Sequence, residues 1–599
     1  MSFQSFDDPA AGGDHATRLA DLRALVAREG LAAVIVPRAD AHQGEYVADA
    51  DARLAWLTGF TGSAGFAIVT ADAAGVFVDG RYRVQARSQL DLQHFDPVPW
   101  PETRPAQWLR DRLSNGRLGF DPWLHTRREV EQLEAGLEGS GITLAALDTN
   151  PVDAIWTDRP AQPAGRARIH PEDLAGESAA QKRARLAVDL RAEGHAAALM
   201  TLPDSISWLL NIRGSDIPRN PVVQSFAVLS NTGAVSLFAD AAKFDDALRD
   251  HLGRDVTILP PNALAAALTD LEGPVRLDPA SAPEAAFRIL EAAGTDIQRG
   301  PDPAVLPKAR KNAAEMAGMR AAHRRDGLAM VRMLSWLDRQ TPEDLTEIDV
   351  VRRLEDLRIA EGITDISFDT IMGAGPNGAI VHYRVTEMSN RRLADGDLLL
   401  IDSGGQYPDG TTDITRTVPL GEPRSDAVAP YTAVLRGVIA LTRTRMPKGV
   451  AGAHLDALAR QFLWQQGLDF DHGTGHGVGA ALCVHEGPMR ISRLSDIALE
   501  PGMILSNEPG YYREGSFGIR IENLVAVVQA EAEPSREMLG FETLTLCPID
   551  LRLVDMAALS RDECDWIDSY HERVRKALSD DLDAEDRAWL ERATAPITR

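Results

Sequence analysis

At 599 residues the chain is too long for one hydrophobic core, and roughly two to four domains are expected. Its 44% hydrophobic and 25% charged residues are ordinary for a globular protein, and a net charge of −25 argues against nucleic acid as a partner, because phosphates would be repelled. Three cysteines, Cys483, Cys547 and Cys564, make neither a disulfide framework nor a zinc–thiolate cluster and suit a reducing compartment.

The stretch 1–15 is polar and glycine-bearing, without a basic-then-apolar leader pattern, and is expected to be disordered. No apolar run reaches the ~18–20 residues that span a bilayer, so a cytoplasmic location without a membrane partner is expected. Leu19, Leu22, Leu25 and Val26 predict a helix over 18–29, stopped by Gly30. Strands are predicted at Leu31–Val36, Leu54–Gly59, Gly65–Val69 and Gly75–Val78, then a helix to about Leu90 and strands at Gly119–Pro122 and Thr143–Leu147. The proline-rich Arg159–Gly165 reads as a linker.

A second unit follows the same plan: a helix over 183–193, Gly194, then a strand at Ala196–Met200. Trp208-Leu209 answers Trp56-Leu57, and Gly233–Asp240 answers Gly75–Asp79, which predicts two copies of one α/β fold. Gly, Pro and Asp cluster at Arg299–Pro307 and mark another boundary. Met316, Met319, Leu328, Val331, Leu334 and Leu337 predict one long helix over 308–339, with Lys308, Arg310, Arg324 and Arg325 on its exposed side. A second helix runs from Glu347 to Ala360 and ends at Gly362. Beyond Thr543 a tail carries a helix over about 560–578 and a charged, helical last stretch.

Between Leu398 and Glu522, Asp402, Asp413, His476, Glu508 and Glu522 stand out. Asp402 ends the apolar run Leu398–Ile401, and Asp413 opens Ile414–Val418 across a glycine- and proline-rich loop of hairpin composition. His476 lies in His472-Gly-Thr-Gly-His-Gly-Val-Gly479, Glu508 follows Met503–Asn507, and Glu522 sits in the alternating run Gly518–Val527. Singly, each carboxylate has a plainer reading as a turn, cap or surface residue. Together, four carboxylates and one imidazole make a hard, oxygen-rich donor set that suits Mn²⁺, Co²⁺ or Zn²⁺. Four buried carboxylates without cations would be untenable. Two dications balance them, at the ~3.5–4 Å spacing of two-metal hydrolysis.

These five residues, in this order, resemble the ligand set of the pita-bread metallopeptidases, which include methionine aminopeptidase, prolidase and aminopeptidase P. The stretches His472–Gly479, Val484-His-Glu-Gly-Pro488, Ser506-Asn-Glu-Pro-Gly-Tyr511 and Gly518-Ile-Arg-Ile-Glu-Asn523 are similar to aminopeptidase P. So are Gly59-Phe-Thr-Gly-Ser-Ala-Gly65, Asp79-Gly-Arg-Tyr82 and Thr543-Leu-Thr-Leu-Cys-Pro-Ile-Asp550, which match its long, three-domain form.

The resemblance implies an α/β chain of two creatinase-like domains (1–158 and 159–303), a pita-bread catalytic domain (304–540) and a C-terminal extension (541–599). It implies removal of the N-terminal residue from peptides with proline second, using two divalent ions, most often Mn²⁺, in a homodimer. Asp402 would then serve one metal, His476 and Glu508 the other, and Asp413 and Glu522 would bridge. Glu508 would also accept the proton of the attacking water. His485 would polarise the substrate carbonyl, His382, in Ala379-Ile-Val-His-Tyr383, would assist proton transfer beside the proline, and His472 would line the proline side. Arg520 would orient a ligand carboxylate, and Arg81 would contact longer substrates. Prolidase shares the ligands but usually lacks the middle domain. A catalytically inactive pita-bread peptide-binding module is the non-enzyme alternative, and its ligands would be missing.

Overall fold

The computed structural model describes residues 3–7, 13–531 and 533–598. It divides into two compact units, residues 9–305 and residues 1–8 with 306–599.

The unit 9–305 contains one topology twice. The first sheet runs, in spatial order, Asp96–Pro99, Ala74–Val78, Phe66–Thr70, Ala33–Pro37, Gly116–Phe120 and Ile142–Ala146. The second runs Val256–Leu259, Val235–Phe238, Phe226–Ser230, Ala197–Met200, Val275–Leu277 and Ile297–Arg299. In each, the third strand pairs antiparallel with both neighbours and every other pairing is parallel. Alternation explains the first sheet's two buried faces: Val34 and Val36 join one apolar cluster, Ala33 and Ile35 the other. The echo of Trp56-Leu57 in Trp208-Leu209 is structural, but both pairs lie on helices, Arg53–Thr58 and Pro203–Leu209. The strand expected at Leu54–Gly59 is therefore a helix. A short apolar run has no period long enough to separate the two, and Gly59, at φ +80°, caps the helix in the left-handed conformation.

In the unit 306–599, Ile371–Ala374, Leu398–Ser403 and Ile414–Pro419 form an antiparallel trio in which Asp402 lies opposite Thr415. A six-stranded sheet runs Met446–Pro447, Met538–Thr543, Asn523–Ala530, Ile504–Asn507, Gly475–Gly477 and Glu486–Ile491. Side chains of the helices Ala313–Leu337, Ser425–Thr442 and Arg561–Leu578 join Phe517, Ile519 and Ile521 in one apolar cluster. The run Gly518–Val527 is split into Phe517–Arg520 and Asn523–Ala530, which leaves Glu522 at the break.

Two expectations fail here for a physical reason. The helix expected from Lys308 is two helices, Val305–Ala309 and Ala313–Leu337, because Asn312 caps the second and forms a capping box with Glu315. Lys308 is buried, not exposed, and its Nζ pairs with Glu486 at 2.9 Å. The disorder expected over 1–15 is also overturned for Phe3–Asp7, where Gln4 and Phe6 are buried; residues 1–2 and 8–12 lie outside the described residues. Asp14 caps the first helix, His15–Arg28. Among the described residues no helix is long and apolar enough to cross a membrane.

The last helices are tied in by a titratable group. His571 Nε2 accepts the N–H of Ile549 at 3.1 Å. Burial, then the charge of Arg416, pushes its pKa from 6.5 down to about 4. The folded value lies below the unfolded one, so the contribution is complete above pH 6.5 and is lost as pH falls toward 4, about 3 kcal/mol in all. Urea unfolding at pH 7 and pH 4.5 is expected to show a smaller acid loss in His571→Gln than in the parent. Equal losses would remove His571 from this role.

Candidate metal centre

The strand trio and the six-stranded sheet bring the five acidic and imidazole side chains together. Asp402 is on Leu398–Ser403 and Asp413 directly precedes Ile414–Pro419. His476 is central in Gly475–Gly477, where a Cβ on Gly475 would lie 2.0 Å from the Ser506 carbonyl oxygen. Only glycine admits that approach of the two strands. Glu508 N–H donates to Thr474 O at 2.8 Å, and Glu522 N–H donates to Thr415 O at 3.1 Å.

Ligand-capable atoms of Asp413, His476 and Glu522 all lie within 4.8 Å of one another. His476 Nε2 is 3.4 Å from Asp413 Oδ2 and 3.6 Å from Glu508 Oε1. Burial holds Asp413, Glu508 and Glu522 above the usual carboxylate range, and the charge of Asp402 pushes each of them further the same way.

The hydrogen bonds fix what these atoms can bind. The Nδ1–H of His476 donates to Gly477 O at 2.9 Å, so in the neutral ring Nε2 is an acceptor. It faces two carboxylates, which are acceptors too. Asp402 Oδ1, Asp413 Oδ1 and Glu522 Oε1 are buried without any hydrogen-bond partner. Acceptors pointed at acceptors in a dry site call for cations, and the residues present fit two of them.

Around this cluster the residues are fastened. Arg520, fully buried, pairs with Asp402. Its Nη1 donates to Tyr512 Oη at 2.5 Å and to Val381 O, beside His382, at 3.4 Å. His472 Nδ1–H donates to Gly473 O at 2.7 Å, so Tyr512 O–H donates to His472 Nε2 at 2.9 Å. Arg520 thus donates in both directions, to Asp402 on one side and through Tyr512 to His472 on the other. The His485 ring stands edge-on to that of His476, with centroids 4.2 Å apart. Its neighbour Glu486 is buried and takes charge-assisted bonds from Lys308 and Lys311.

Arg416 is the other fastening. Its guanidinium donates to Thr415 O (2.9 Å), Glu522 O (2.7 Å), Asn523 Oδ1 (2.8 Å), Pro548 O (2.9 Å), Cys547 O (2.8 Å) and Tyr570 Oη (3.0 Å). No carboxylate is among these partners.

Of the residues singled out in the sequence, Asp402, Asp413, His476, Glu508, Glu522, His472, His485 and Arg520 gather here, and His382 is one residue from an Arg520 contact. Arg81 lies in the unit 9–305, where its Nη2 pairs with Asp79 Oδ2 at 2.7 Å and Glu45 lies 4.0 Å from its Nη1. Sequence reasoning did not single out Tyr512, Arg416 or Thr415, whose Oγ1 donates to Glu522 Oε2 at 2.8 Å. The one available signal was alternation: Tyr512 and Gly510 share a face of the strand Gly510–Arg513, next to Glu508.

Comparison with known families matches residues 317–529 to metallopeptidase family M24, and residues 18–154 and 158–315 each to the creatinase/prolidase N-terminal domain. Residues 537–597 match the C-terminal region of peptidase M24. The chain is 38% identical over 613 residues to a probable Xaa-Pro aminopeptidase P of Aspergillus fumigatus, covering 97% of this chain and 93% of that one. Its counterpart in Pyrenophora teres f. teres is 39% identical over 614 residues, with the same coverage. Among solved structures, the X-prolyl aminopeptidase of Caenorhabditis elegans, described as a cytosolic enzyme with a di-nuclear active site, superposes with a TM-score of 0.93 at 35% identity. That match covers 97% of this chain and 100% of the other. A prolidase from Thermococcus sibiricus shares the fold over 63% of this chain and 99% of its own, at a TM-score of 0.51 and 23% identity.

Proposed function

The chain belongs to metallopeptidase family M24 and is a metallo-aminopeptidase of the Xaa-Pro type, and we propose the following division of labour among its residues. Asp402 would hold one divalent ion, His476 and Glu508 the other, with Asp413 and Glu522 shared between them. When bound, such a pair supplies a water ionised near neutral pH and polarises the scissile carbonyl. The observation that carries this reading is the acceptor Nε2 of His476 facing Asp413 and Glu508 amid three orphaned carboxylate oxygens of Asp402, Asp413 and Glu522.

Glu508, at the open end of Ile504–Asn507, takes the proton of the attacking water and passes it toward the leaving amine. His485 donates to the carbonyl oxygen as negative charge develops on it. The leaving group is the proline nitrogen, which before cleavage is a tertiary amide nitrogen without an N–H, so selectivity must come from the ring rather than from a backbone donor. His382 and His472 flank that ring, with His472 oriented by Tyr512. Arg81 contacts the distal part of longer peptides. Manganese is the resident metal, with zinc and cobalt as substitutes that this hard donor set also accepts. A homodimer in the cytoplasm, without nucleic-acid or membrane partners, completes the reading.

Prolidase is the competing activity; the Thermococcus sibiricus prolidase covers 63% of this chain, against 97% for the X-prolyl aminopeptidase structure. With the metal-loaded protein, Xaa-Pro-Yaa tripeptides are expected to be cleaved to Xaa and Pro-Yaa at least about tenfold more efficiently than Xaa-Pro dipeptides. Cleavage confined to the dipeptide would overturn the assignment. Failure to retain about two metals per chain after loading would favour a binding module instead.

A further inference from the structure

Phe3–Asp7 pack within the unit 306–599, on the chain segment around His382. Gln4 is buried and grips the backbone of Thr370 on both sides. Thr370 N–H donates to Gln4 Oε1 at 2.9 Å, and Gln4 Nε2 donates to Thr370 O at 3.5 Å. The buried carboxylate of Glu355 accepts the backbone N–H of Phe3 and, at 3.3 Å, that of Gln4. Arg384 Nη2 donates to Ser5 O at 3.0 Å, while Arg384 Nε pairs with Asp369 at 3.0 Å. Glu387 N–H donates to Phe6 O at 2.8 Å. Phe3 packs on the cluster of Ala322, Ile363, Ile366 and Tyr407, and the Arg352 guanidinium lies over the Phe6 ring.

The anchor points, Thr370 on one side and Arg384 and Glu387 on the other, bracket His382 in the chain. From Ile380 to Asn390 the backbone belongs to no helix or strand, so ladder hydrogen bonds do not hold it. Inside the fold the segment is held at Val381, whose carbonyl takes Arg520 Nη1, and at Tyr383, whose hydroxyl donates to Glu347 Oε2 at 2.9 Å. On the C-terminal side of His382, Arg384 and Glu387 take backbone bonds with Ser5 and Phe6, beside the ion pairs of Arg384 with Asp369 and of Glu387 with Arg352. Bonds of this sort between a buried amide and a backbone are specific in register, which an apolar contact alone is not.

We propose that residues Phe3–Asp7 are a positioning strap for the His382 segment, and so set affinity and selectivity for the residue that follows the scissile bond. The strap is distinct from the metal centre: none of the contacts named above involves Asp402, Asp413, His476, Glu508 or Glu522. The proposal rests on the reading of His382 as a proline-side residue.

The test compares the metal-loaded parent with Gln4→Ala, a form lacking residues 1–7, and His382→Ala. Steady-state kinetics on Xaa-Pro-Yaa and Xaa-Ala-Yaa tripeptides are combined with hydrogen exchange and metal analysis. If strap loss leaves the competent segment populated roughly one time in ten, KM for the proline peptide rises about tenfold, with kcat within about twofold. The preference for proline over alanine falls in parallel, exchange over 380–390 quickens, and metal content stays at the parent value. A general loss of stability would instead lower kcat and metal content together. Unchanged KM and exchange in both strap variants, while His382→Ala remains impaired, would overturn the strap and leave the role of His382 standing. Quickened exchange over 380–390 with an unimpaired His382→Ala would instead overturn the role of His382. Gln4→Ala removes only one side chain, so the comparison holds even where the truncated form does not fold.

Discussion

Glu522→Ala is expected to lower kcat/KM on Xaa-Pro-Yaa peptides by about 10⁴-fold and to cut metal content from about two ions per chain to one or fewer. The size follows from where Glu522 sits. Its backbone N–H is bonded to Thr415 O, its carbonyl to Arg416 Nη1 and its Oε2 to Thr415 Oγ1, which leaves Oε1 the buried orphan that would hold an ion. Under the proposed assignment, a carboxylate shared by both ions would be lost from both positions at once, whereas removal of Asp402 would disturb one. The fastening is mostly to backbone, so the strand break at Ile521–Glu522 survives the substitution and the loss is chemical, not a collapse of the fold. Elemental analysis beside steady-state kinetics checks both parts. A variant that keeps full activity and both ions would remove Glu522 from the centre.

His485→Ala is expected to act differently: kcat falls about 10²–10³-fold, the range for loss of one donor to a developing oxyanion, with KM changed by only a few-fold. Metal content stays at the parent value. The His485 ring leans on that of His476, and the neighbouring Glu486 is clamped by Lys308 and Lys311, so the backbone holds its place without the ring. A rise in KM alone would make His485 a binding residue and not a donor to the transition state. The contrast between the two variants, one losing metal and the other keeping it, separates ligands from groups that face substrate.

The parts of this molecule legible in the sequence are those where local pattern and final structure agree. Asp402 and Asp413, each readable alone as a turn or cap residue, stood out only beside His476, Glu508 and Glu522, and the hairpin between them is the antiparallel pair Leu398–Ser403 with Ile414–Pro419. The duplicated α/β fold was legible because both copies keep the same order of helix, glycine stop, strand and Trp-Leu. What stayed hidden depended on distant partners. Lys308 reads as a surface lysine until Glu486 is found beside it. Phe3–Asp7 read as loose polar chain because the partners of Gln4 and Phe6 lie some 360–380 residues away, at Thr370 and Glu387. Arg416, one of many arginines, gains its meaning only from carbonyls at Cys547 and Pro548. Leu54–Gly59 failed differently, because a short apolar run carries no period to distinguish helix from strand.

Arg416 also orders events in time. A nascent chain made as far as residue 540 holds all five ligands, yet the Arg416 guanidinium then has only Thr415, Glu522 and Asn523 to bond. Cys547, Pro548 and Tyr570 emerge later. Until they arrive, the strand break at Glu522 is backed by only half of the partners that finally hold Arg416. Synthesis from the N-terminus therefore makes every candidate ligand before it makes the segment that completes this clamp.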